Sequence, residues 1–199
     1  MDSTGWDRRY SGSELVWTAE ANRFLVSEVA DLPTGSALDL ACGEGRNAVW
    51  LAERGWQVTG VDFSQVGLDK AARLAGLRGV SVDWLRADVL EYTPPADAFD
   101  LIAVFYLHIA APAMTDVLRR AARALAPGGT VLVVGHDPTN IADGHGGPQD
   151  PAILMTPEQI VAALPGLDVE RAERVRRPVP SAGDDVYAID SLVRCVRSR

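Results

Sequence analysis

Length, composition and charge exclude several classes of protein. The 199 residues suit one ordinary domain, and 47% hydrophobic with 23% charged residues is the balance of a globular core. A formal net charge of −8 disfavours nucleic acid or an anionic membrane surface as a partner, because both need basic patches. The two cysteines, Cys42 and Cys195, are too few and too distant for a disulfide framework or a zinc site. No apolar stretch predicts a secretion signal or a membrane span, so a cytoplasmic location is expected.

Short β-branched runs alternate with helical patterns along the chain. This alternation predicts an α/β fold in which βαβ units build a mostly parallel sheet. Any disorder is expected only within the first dozen residues. In chain order the patterns predict a helix at 13–32, a strand at 37–41, a helix at 46–54, a strand at 57–61, a helix at 65–75, strands at 80–85 and 99–105, a helix at 114–125, and strands at 130–134, 168–176 and 186–196.

The segment that follows the fifth predicted strand is rich in Gly, Pro and Asp. Residues 136–155 show little periodicity, and loops of this length in compact domains are usually functional. Thr156 and Gln159 then predict a capping box at the start of a helix, with Pro157 at its first position. The chain's one basic cluster is expected to form the solvated face of a later strand and consists of Arg171, Arg174, Arg176 and Arg177.

A glycine turn after the first strand is the first candidate for a ligand site. Gly43 and Gly45 remove side chains where the chain leaves the strand, so backbone amides can approach a ligand closely. About twenty positions on, Asp62 ends the second strand, where a carboxylate can accept hydrogen bonds from a ribose. The pair fits a nicotinamide dinucleotide as well as other nucleoside cofactors, and a plain βα connection with Asp62 as a helix cap is the structural alternative.

The residues around the glycine turn distinguish between the cofactor classes. The run Leu38-Asp39-Leu40-Ala41-Cys42-Gly43-Glu44-Gly45 resembles the class I S-adenosylmethionine-dependent methyltransferase family, which has an acidic residue inside the strand. The resemblance implies that Asp39 holds the amino group at the methionine end of the cofactor and that Asp62 binds the ribose. It also implies that Asp88 meets the adenine amino group. The match covers roughly residues 36–135 and extends almost to the end through the closing strand pair.

The resemblance implies one Rossmann-like methyltransferase domain. Its seven-stranded sheet is expected to have an antiparallel last strand and helices on both faces. Residues 1–35 would form an N-terminal lid segment and helix, 36–135 the cofactor-binding core, and 136–199 the substrate loop, a helix and the closing strands. The implied cofactor is S-adenosyl-L-methionine, and the residues expected to contact it are Asp39, Ala41, Gly43, Gly45, Arg46, Asn47, Asp62, Phe63, Ala87, Asp88, Val89, Phe105 and Trp17.

A finer resemblance concerns one branch of the family. Residues 45–48 and 51–55, with the Trp6-Asp7-Arg8-Arg9-Tyr10 run ahead of them, look like the tellurite-resistance and thiopurine methyltransferase branch. In that branch an N-terminal aromatic segment folds over the cofactor. Trp6, Tyr10 and Trp17 are therefore lid candidates, and core packing is the alternative for them.

Two histidines lie where chemistry on a substrate is expected. His108 follows the fourth strand and His136 ends the fifth, both at the carboxyl edge of the predicted sheet. A histidine can take a proton from an attacking hydroxyl or amine, or orient that group. Both are candidate catalytic residues, with His108 better placed, and a structural role is the alternative for each.

The sequence disfavours a metal site. Asp137 and Asn140 faintly resemble the magnesium ligands of some O-methyltransferases, but no third carboxylate follows the fourth strand. The sequence therefore predicts methyl transfer without metal to an O, N, S or chalcogen nucleophile of a small molecule. A nicotinamide-dependent oxidoreductase and a catalytically silent cofactor-binding module are the rival hypotheses, and the sequence carries no signal for oligomeric state.

Overall fold

The computed structural model describes residues 3–12 and 14–199, and its centre is a seven-stranded sheet. The strand order is β3-β2-β1-β4-β5-β7-β6. Strands β1 to β5 pair in parallel, whereas β7 is antiparallel to both β5 and β6. The prediction of a reversed last strand is thus confirmed. The strands are β1 Ser36–Leu40, β2 Gln57–Asp62, β3 Asp83–Arg86, β4 Phe99–Phe105, β5 Leu125–His136, β6 Asp168–Pro178 and β7 Tyr187–Val196.

Helices cover both faces of this sheet. Alternate residues of β1 enter two different core clusters, Leu38 packing with α5 and α7 and Ala37 packing with α2 and α3. Such alternation is expected of a strand that is buried on both faces. No helix in the described part of the chain is long and apolar enough to cross a membrane. The helices are α1 Ser3–Tyr10, α2 Arg23–Glu28, α3 Arg46–Glu53, α4 Gln65–Arg78, α5 Ala111–Ala124, α6 Asn140–Asp143 and α7 Pro157–Ala162.

The predicted N-terminal helix at 13–32 is wrong over most of its length. Within the described residues, only α2 is helical in this range, and 14–22 form bends and coil. The helix is replaced because the backbone N–H groups of Val16 and Trp17 donate to the distant Glu44 carboxylate, and because Asn22 caps α2 with its side chain. Residues 3–10, placed in the range where disorder was expected, form α1 instead. Ser13 lies outside the described residues.

Smaller differences concern the ends of elements. Strand β3 is four residues long and starts at Asp83, so the first half of the predicted strand at 80–85 is coil. Strand β5 begins at Leu125, inside the predicted helix and turn, because this stretch pairs with Phe99 across a register shift. The long loop also contains α6 and a 3-10 turn, Pro151–Ile153.

The capping box at the start of α7 is confirmed and supports a stability prediction. The Thr156 side chain accepts the N–H of Gln159, and the Gln159 side chain accepts the N–H of Thr156. Thr156→Ala removes the first of these bonds, so we expect a loss of about 1 kcal/mol in the free energy of unfolding. Urea unfolding measures it, with Thr156→Ser as the control that should retain most of the stability.

Candidate functional site

The glycine turn leaves β1 with three residues at positive φ. Ala41, Gly43 and Gly45 have φ of 58°, 55° and 78°, a region that glycine adopts readily and other residues rarely do. Gly45 is also the N-cap of α3. The turn is fixed to the next strand because the Gly43 N–H donates to Oδ2 of Asp62 over 2.8 Å. The sequence-predicted glycines therefore line the carboxyl edge of β1 and β2, beside the start of α3.

Asp39 is a buried carboxylate with an unused oxygen. Its side chain is 2% exposed, and Oδ2 has no hydrogen-bond partner in the described part of the chain. Burial raises the pKa of Asp39 to about 7, although the Ala48 backbone and the Arg46 charge oppose the shift. Burying a polar atom without a partner is costly, so this oxygen requires a donor that the protein itself does not provide.

Asp62 bridges the turns after β1 and β2. Its two oxygens accept the N–H groups of Gly43 and Ser64, at 2.8 and 2.9 Å. Burial raises the pKa of this carboxyl even though these N–H bonds favour its ionised form. Each carboxylate oxygen has a second lone pair, so Asp62 can accept further hydrogen bonds.

The adenine-side candidates adjoin the same edge. The Ala87 N–H donates to the Asp62 carbonyl, which ties the end of β3 to the end of β2. Asp88 is half-buried, and its Oδ1 accepts the N–H of Leu90, so it also serves as a turn residue. Phe63 is half-buried, whereas Val89 is part of the hydrophobic core.

Three further predicted cofactor residues have other contacts. Asn47 is buried, and its Oδ1 accepts the N–H of Asn22, which fixes the start of α2 to α3. Phe105 packs in the core beneath the sheet edge. Arg46 is half-buried, and burial lowers the pKa of its guanidinium, an effect that Tyr106 and Asp39 oppose. Arg46 therefore lies within the electrostatic reach of both the glycine turn and the end of β4.

The N-terminal segment is fastened over the glycine turn. A Cβ on Gly43 would lie 2.8 Å from the Tyr10 hydroxyl, so that ring packs directly on the turn. Glu44 is 4% exposed and accepts the N–H groups of Val16 and Trp17 together with the Lys70 ammonium at 3.0 Å. The sequence pointed to the aromatic residues but missed Glu44, whose role depends on chain segments far from it.

The three aromatic lid candidates have different environments. Tyr10 is 4% exposed, Trp6 is half-buried with its ring 5.3 Å from Tyr10, and Trp17 is 43% exposed. The Arg9 guanidinium lies 5.2 Å from both tryptophan rings. The Tyr10 ring packs on Gly43, whereas Trp17 reaches the glycine turn through its backbone N–H, which donates to Glu44.

A second polar cluster occupies the ends of β4, β5 and β7. The Tyr106 hydroxyl donates to Oδ2 of Asp190 at 2.9 Å, and Nε of Arg177 donates to the same oxygen at 2.7 Å. His136, which pairs with Asp190 across the β5–β7 ladder, has Nδ1 3.1 Å from Oδ1 of Asp190. These two atoms lie within ion-pair distance of each other but are not aligned as a hydrogen bond. The His108 and His136 rings stack with centroids 5.4 Å apart.

The two histidines differ in their chemistry. Burial and the neighbouring His136 lower the pKa of His108 to about 4, so its imidazole stays neutral at physiological pH. Its Nε2 lies 3.4 Å from the backbone nitrogen of His136, which donates to it. His136 instead has the carboxylate of Asp190 at Nδ1. The structure thus brings the two predicted histidines together but gives only His136 an anionic partner at this distance.

The basic cluster on β6 is more than the solvated face that the sequence predicted. Arg171, Arg174 and Arg177 pair with three buried carboxylates, those of Glu28, Asp137 and Asp190 respectively. The guanidinium of Arg176 lies over the Tyr187 ring. The sequence missed this because the acidic partners lie on other elements, and only the tertiary fold brings them next to β6.

Asp137 and Asn140 hold the backbone in place. Asp137 accepts bonds from Thr139 and Ser191 and pairs with Arg174, and Asn140 bonds the backbone of Ile189 and Gly146. Within residues 3–12 and 14–199, no group of three or more His, Cys, Asp or Glu side chains is arranged to hold a metal ion.

Comparison with known proteins bears on this site. Residues 37–129 match a family model described as a methyltransferase domain. A trans-aconitate 2-methyltransferase of Sinorhizobium fredii is 40% identical over 116 residues, which cover 56% of this chain and 42% of that protein. A demethylmenaquinone methyltransferase of Thermus thermophilus is 34% identical over 129 residues, covering 64% and 57%. The chain spans about half the length of the curated relatives it matches.

Solved structures agree on the fold. The N-methyltransferase NodS of Bradyrhizobium japonicum, in complex with S-adenosylhomocysteine, superposes with a TM-score of 0.75 at 16% identity and covers 99% of this chain and 98% of its own. TehB of Haemophilus influenzae gives 0.74 at 12% identity, covering 97% and 66%. The fold of this chain is therefore that of the Rossmann-like class I methyltransferases.

Proposed function

We propose that this chain is an S-adenosylmethionine-dependent methyltransferase that transfers a methyl group to a nucleophilic atom of a small molecule. The observation that carries the proposal is the unpartnered Oδ2 of Asp39, buried beside a glycine turn at the carboxyl edge of the sheet. The ammonium group of S-adenosylmethionine provides the donor that this oxygen lacks. The methyltransferase match at residues 37–129 supports the same cofactor.

The other residues at this edge fit the remaining parts of the cofactor. The half-buried Arg46 guanidinium suits the methionine carboxylate, and the free lone pairs of Asp62 suit the ribose hydroxyls. Asp88, beside Ala87 and Phe63, suits the adenine amino group. Gly43 and Gly45 allow the backbone to approach, and Tyr10 would cover the turn.

Methyl transfer requires little from the protein beyond positioning the reactants and excluding water. The cofactor supplies an electrophilic methyl group on a sulfonium. The chain's own residues would hold the acceptor in line with that methyl and exclude water, and proximity alone contributes much of the rate. The N-terminal segment around Val16, which Glu44 and Lys70 hold over the glycine turn, is suited to the exclusion of water.

Asp39→Asn tests the proposal because it separates binding from stability. Hydrogen bonds to charged groups contribute about 1.5–3 kcal/mol, so we expect the affinity for S-adenosylmethionine to fall about 10- to 100-fold. Because folding raises the pKa of Asp39 to about 7, the carboxylate destabilises the native protein increasingly as pH rises from about 4 to 7. Asp39→Asn should remove that dependence and leave the ligand-free protein as stable or more stable.

Calorimetric titration and urea unfolding measure the two effects. Asp100→Asn on the neighbouring strand is the matched control, since Asp100 is exposed and bonds only the Ser36 backbone. Equal cofactor affinity in Asp39→Asn and the parent would contradict the proposal. Tight binding of a nicotinamide dinucleotide would favour an oxidoreductase. Cofactor binding without S-adenosylhomocysteine release from any acceptor would favour a silent binding module.

An assay of S-adenosylhomocysteine release needs a panel of possible acceptors. The branch resemblance and the relatives determine which compounds the panel contains. Small phenols, amines, carboxylates and thiols cover O, N and S nucleophiles. Chalcogen oxyanions are included because the N-terminal aromatic run looks like the tellurite-resistance and thiopurine branch, which we retain as a proposal.

A further inference from the structure

We infer that His136 and Asp190 form a proton-accepting pair, and that the acceptor of this site is a hydroxyl or amine that loses a proton on methylation. The inference rests on the proposed function and deepens it. The acceptor's lone pair bonds the methyl carbon, the methyl–sulfur bond breaks with its electrons left on sulfur, and the acceptor proton passes to Nε2 of His136. The imidazolium then releases the proton to water.

The geometry of His136 is that of an oriented base. Nδ1 faces Asp190, while Nε2 has no hydrogen-bond partner among residues 3–12 and 14–199. The side chain is only 11% exposed. A neutral imidazole with its proton on Nδ1, toward the carboxylate, presents a bare Nε2 as the acceptor. Contacts of this kind commonly tighten when the substrate binds.

Two hydrogen-bond donors fix the orientation of the Asp190 carboxylate. It is fully buried, and Tyr106 and Arg177 both donate to its Oδ2, which leaves Oδ1 toward His136. Burial alone would raise the pKa of Asp190, but the facing His136 imidazole and the Arg177 guanidinium hold it below the usual range. Asp190 therefore stays ionised and can stabilise a protonated His136.

The loop after β5 fixes the imidazole. A Cβ on Gly147 would lie 2.7–2.9 Å from three atoms of the His136 ring, so the loop backbone packs against that ring. Asn140 positions the loop because it donates to the Gly146 carbonyl at 2.8 Å and accepts the Ile189 N–H at 2.7 Å. Asp190 directly follows Ile189. The Asn140 side chain therefore anchors both the loop that carries Gly147 and the strand that carries Asp190, two of the residues that contact His136.

His108 is a weaker base in this arrangement. A group with a pKa of about 4 gives little driving force for proton transfer near neutral pH. Its Nε2 already faces the His136 N–H. The groups that face His136 are thus Tyr106 and His108 after β4, Asp190 on β7 and Gly147 in the loop. Arg177 on β6 bonds Asp190 and acts on His136 only through that carboxylate.

The test compares two acceptor classes in the 199-residue chain. The probes are 4-substituted phenols and anilines, which must lose a proton, and 4-nitrothiophenol, which is already ionised at assay pH. We expect turnover of phenols or anilines by the parent, and a fall of about 10²- to 10⁴-fold in kcat for His136→Gln. Asp190→Asn should also lower kcat and move the acid limb of the kcat profile to lower pH.

Controls keep the inference distinct from the proposed function. Asp116→Asn makes an equally conservative change on the exposed face of α5, outside the site, and should leave kcat unchanged. Calorimetry with S-adenosylhomocysteine should give equal affinity in all variants, and thermal unfolding should show that each is folded. Parent-like kcat and pH profile in His136→Gln would overturn the inference while leaving cofactor binding intact. Turnover of the thiol alone, or of no probe despite cofactor binding, would overturn it as well.

Discussion

Asp62→Ala is expected to lower the affinity for S-adenosylmethionine about 10²- to 10⁴-fold. Two hydrogen bonds from ribose hydroxyls to a carboxylate contribute about 1.5–3 kcal/mol each, and about 1.4 kcal/mol corresponds to a factor of ten. The same change releases the N–H groups of Gly43 and Ser64, which Asp62 now holds at 2.8 and 2.9 Å. The glycine turn then loses one of its links to β2, while the Cys42 N–H still donates to the Val61 carbonyl, and this loosening adds to the loss of affinity.

Calorimetry with a graded set of variants separates the two contributions. Asp62→Asn keeps one oxygen acceptor and should lose less than Asp62→Ala. Asp69→Ala removes a carboxylate from the exposed face of α4 and should bind the cofactor like the parent. Affinity that survives Asp62→Ala within a factor of three would refute the ribose role.

The elements that the sequence predicted best are those whose signal is local. Strand β4 was predicted with its observed ends, and the α7 start followed from a capping box that needs only four consecutive residues. The glycine turn was found because a positive φ restricts residue type at the position itself. The order of anchors along the chain, together with the family resemblance, then fixed the sheet topology.

The features that could not be predicted from the sequence are contacts between residues that lie far apart along the chain. Asp190 and Tyr106 are 84 positions apart, and their hydrogen bond exists only because β7 turns back beside β5. Residues 14–22 have helical periodicity, yet they do not form a helix because the N–H groups of Val16 and Trp17 donate to the buried Glu44 carboxylate instead. Local propensity is overridden where a buried charge has to be satisfied.

Asp137→Ala is expected to lower the free energy of unfolding by about 3 kcal/mol. The carboxylate is fully buried and accepts Thr139, Ser191 and Arg174, so its loss leaves the Thr139 N–H and the Arg174 guanidinium without this acceptor. Breaking a buried pair costs about 3–5 kcal/mol, and the lower end applies because the Arg174 side chain is 42% exposed. Asp143→Ala, in the exposed part of α6, is the matched control and should change stability little.

The pH dependence of this loss has a definite sign. Although burial opposes it, the hydrogen bonds from Thr139, Ser191 and Arg174 hold the pKa of Asp137 below its usual range. A carboxyl whose pKa is lower in the folded state stabilises the protein above the unfolded pKa of about 4, and that contribution disappears as pH falls through the folded value. The difference in unfolding free energy between parent and Asp137→Ala should therefore be constant from pH 8 to 5 and shrink below pH 4. Urea unfolding across this range measures it, and a difference that grows toward low pH would show that Asp137 does not act as an ionised acceptor.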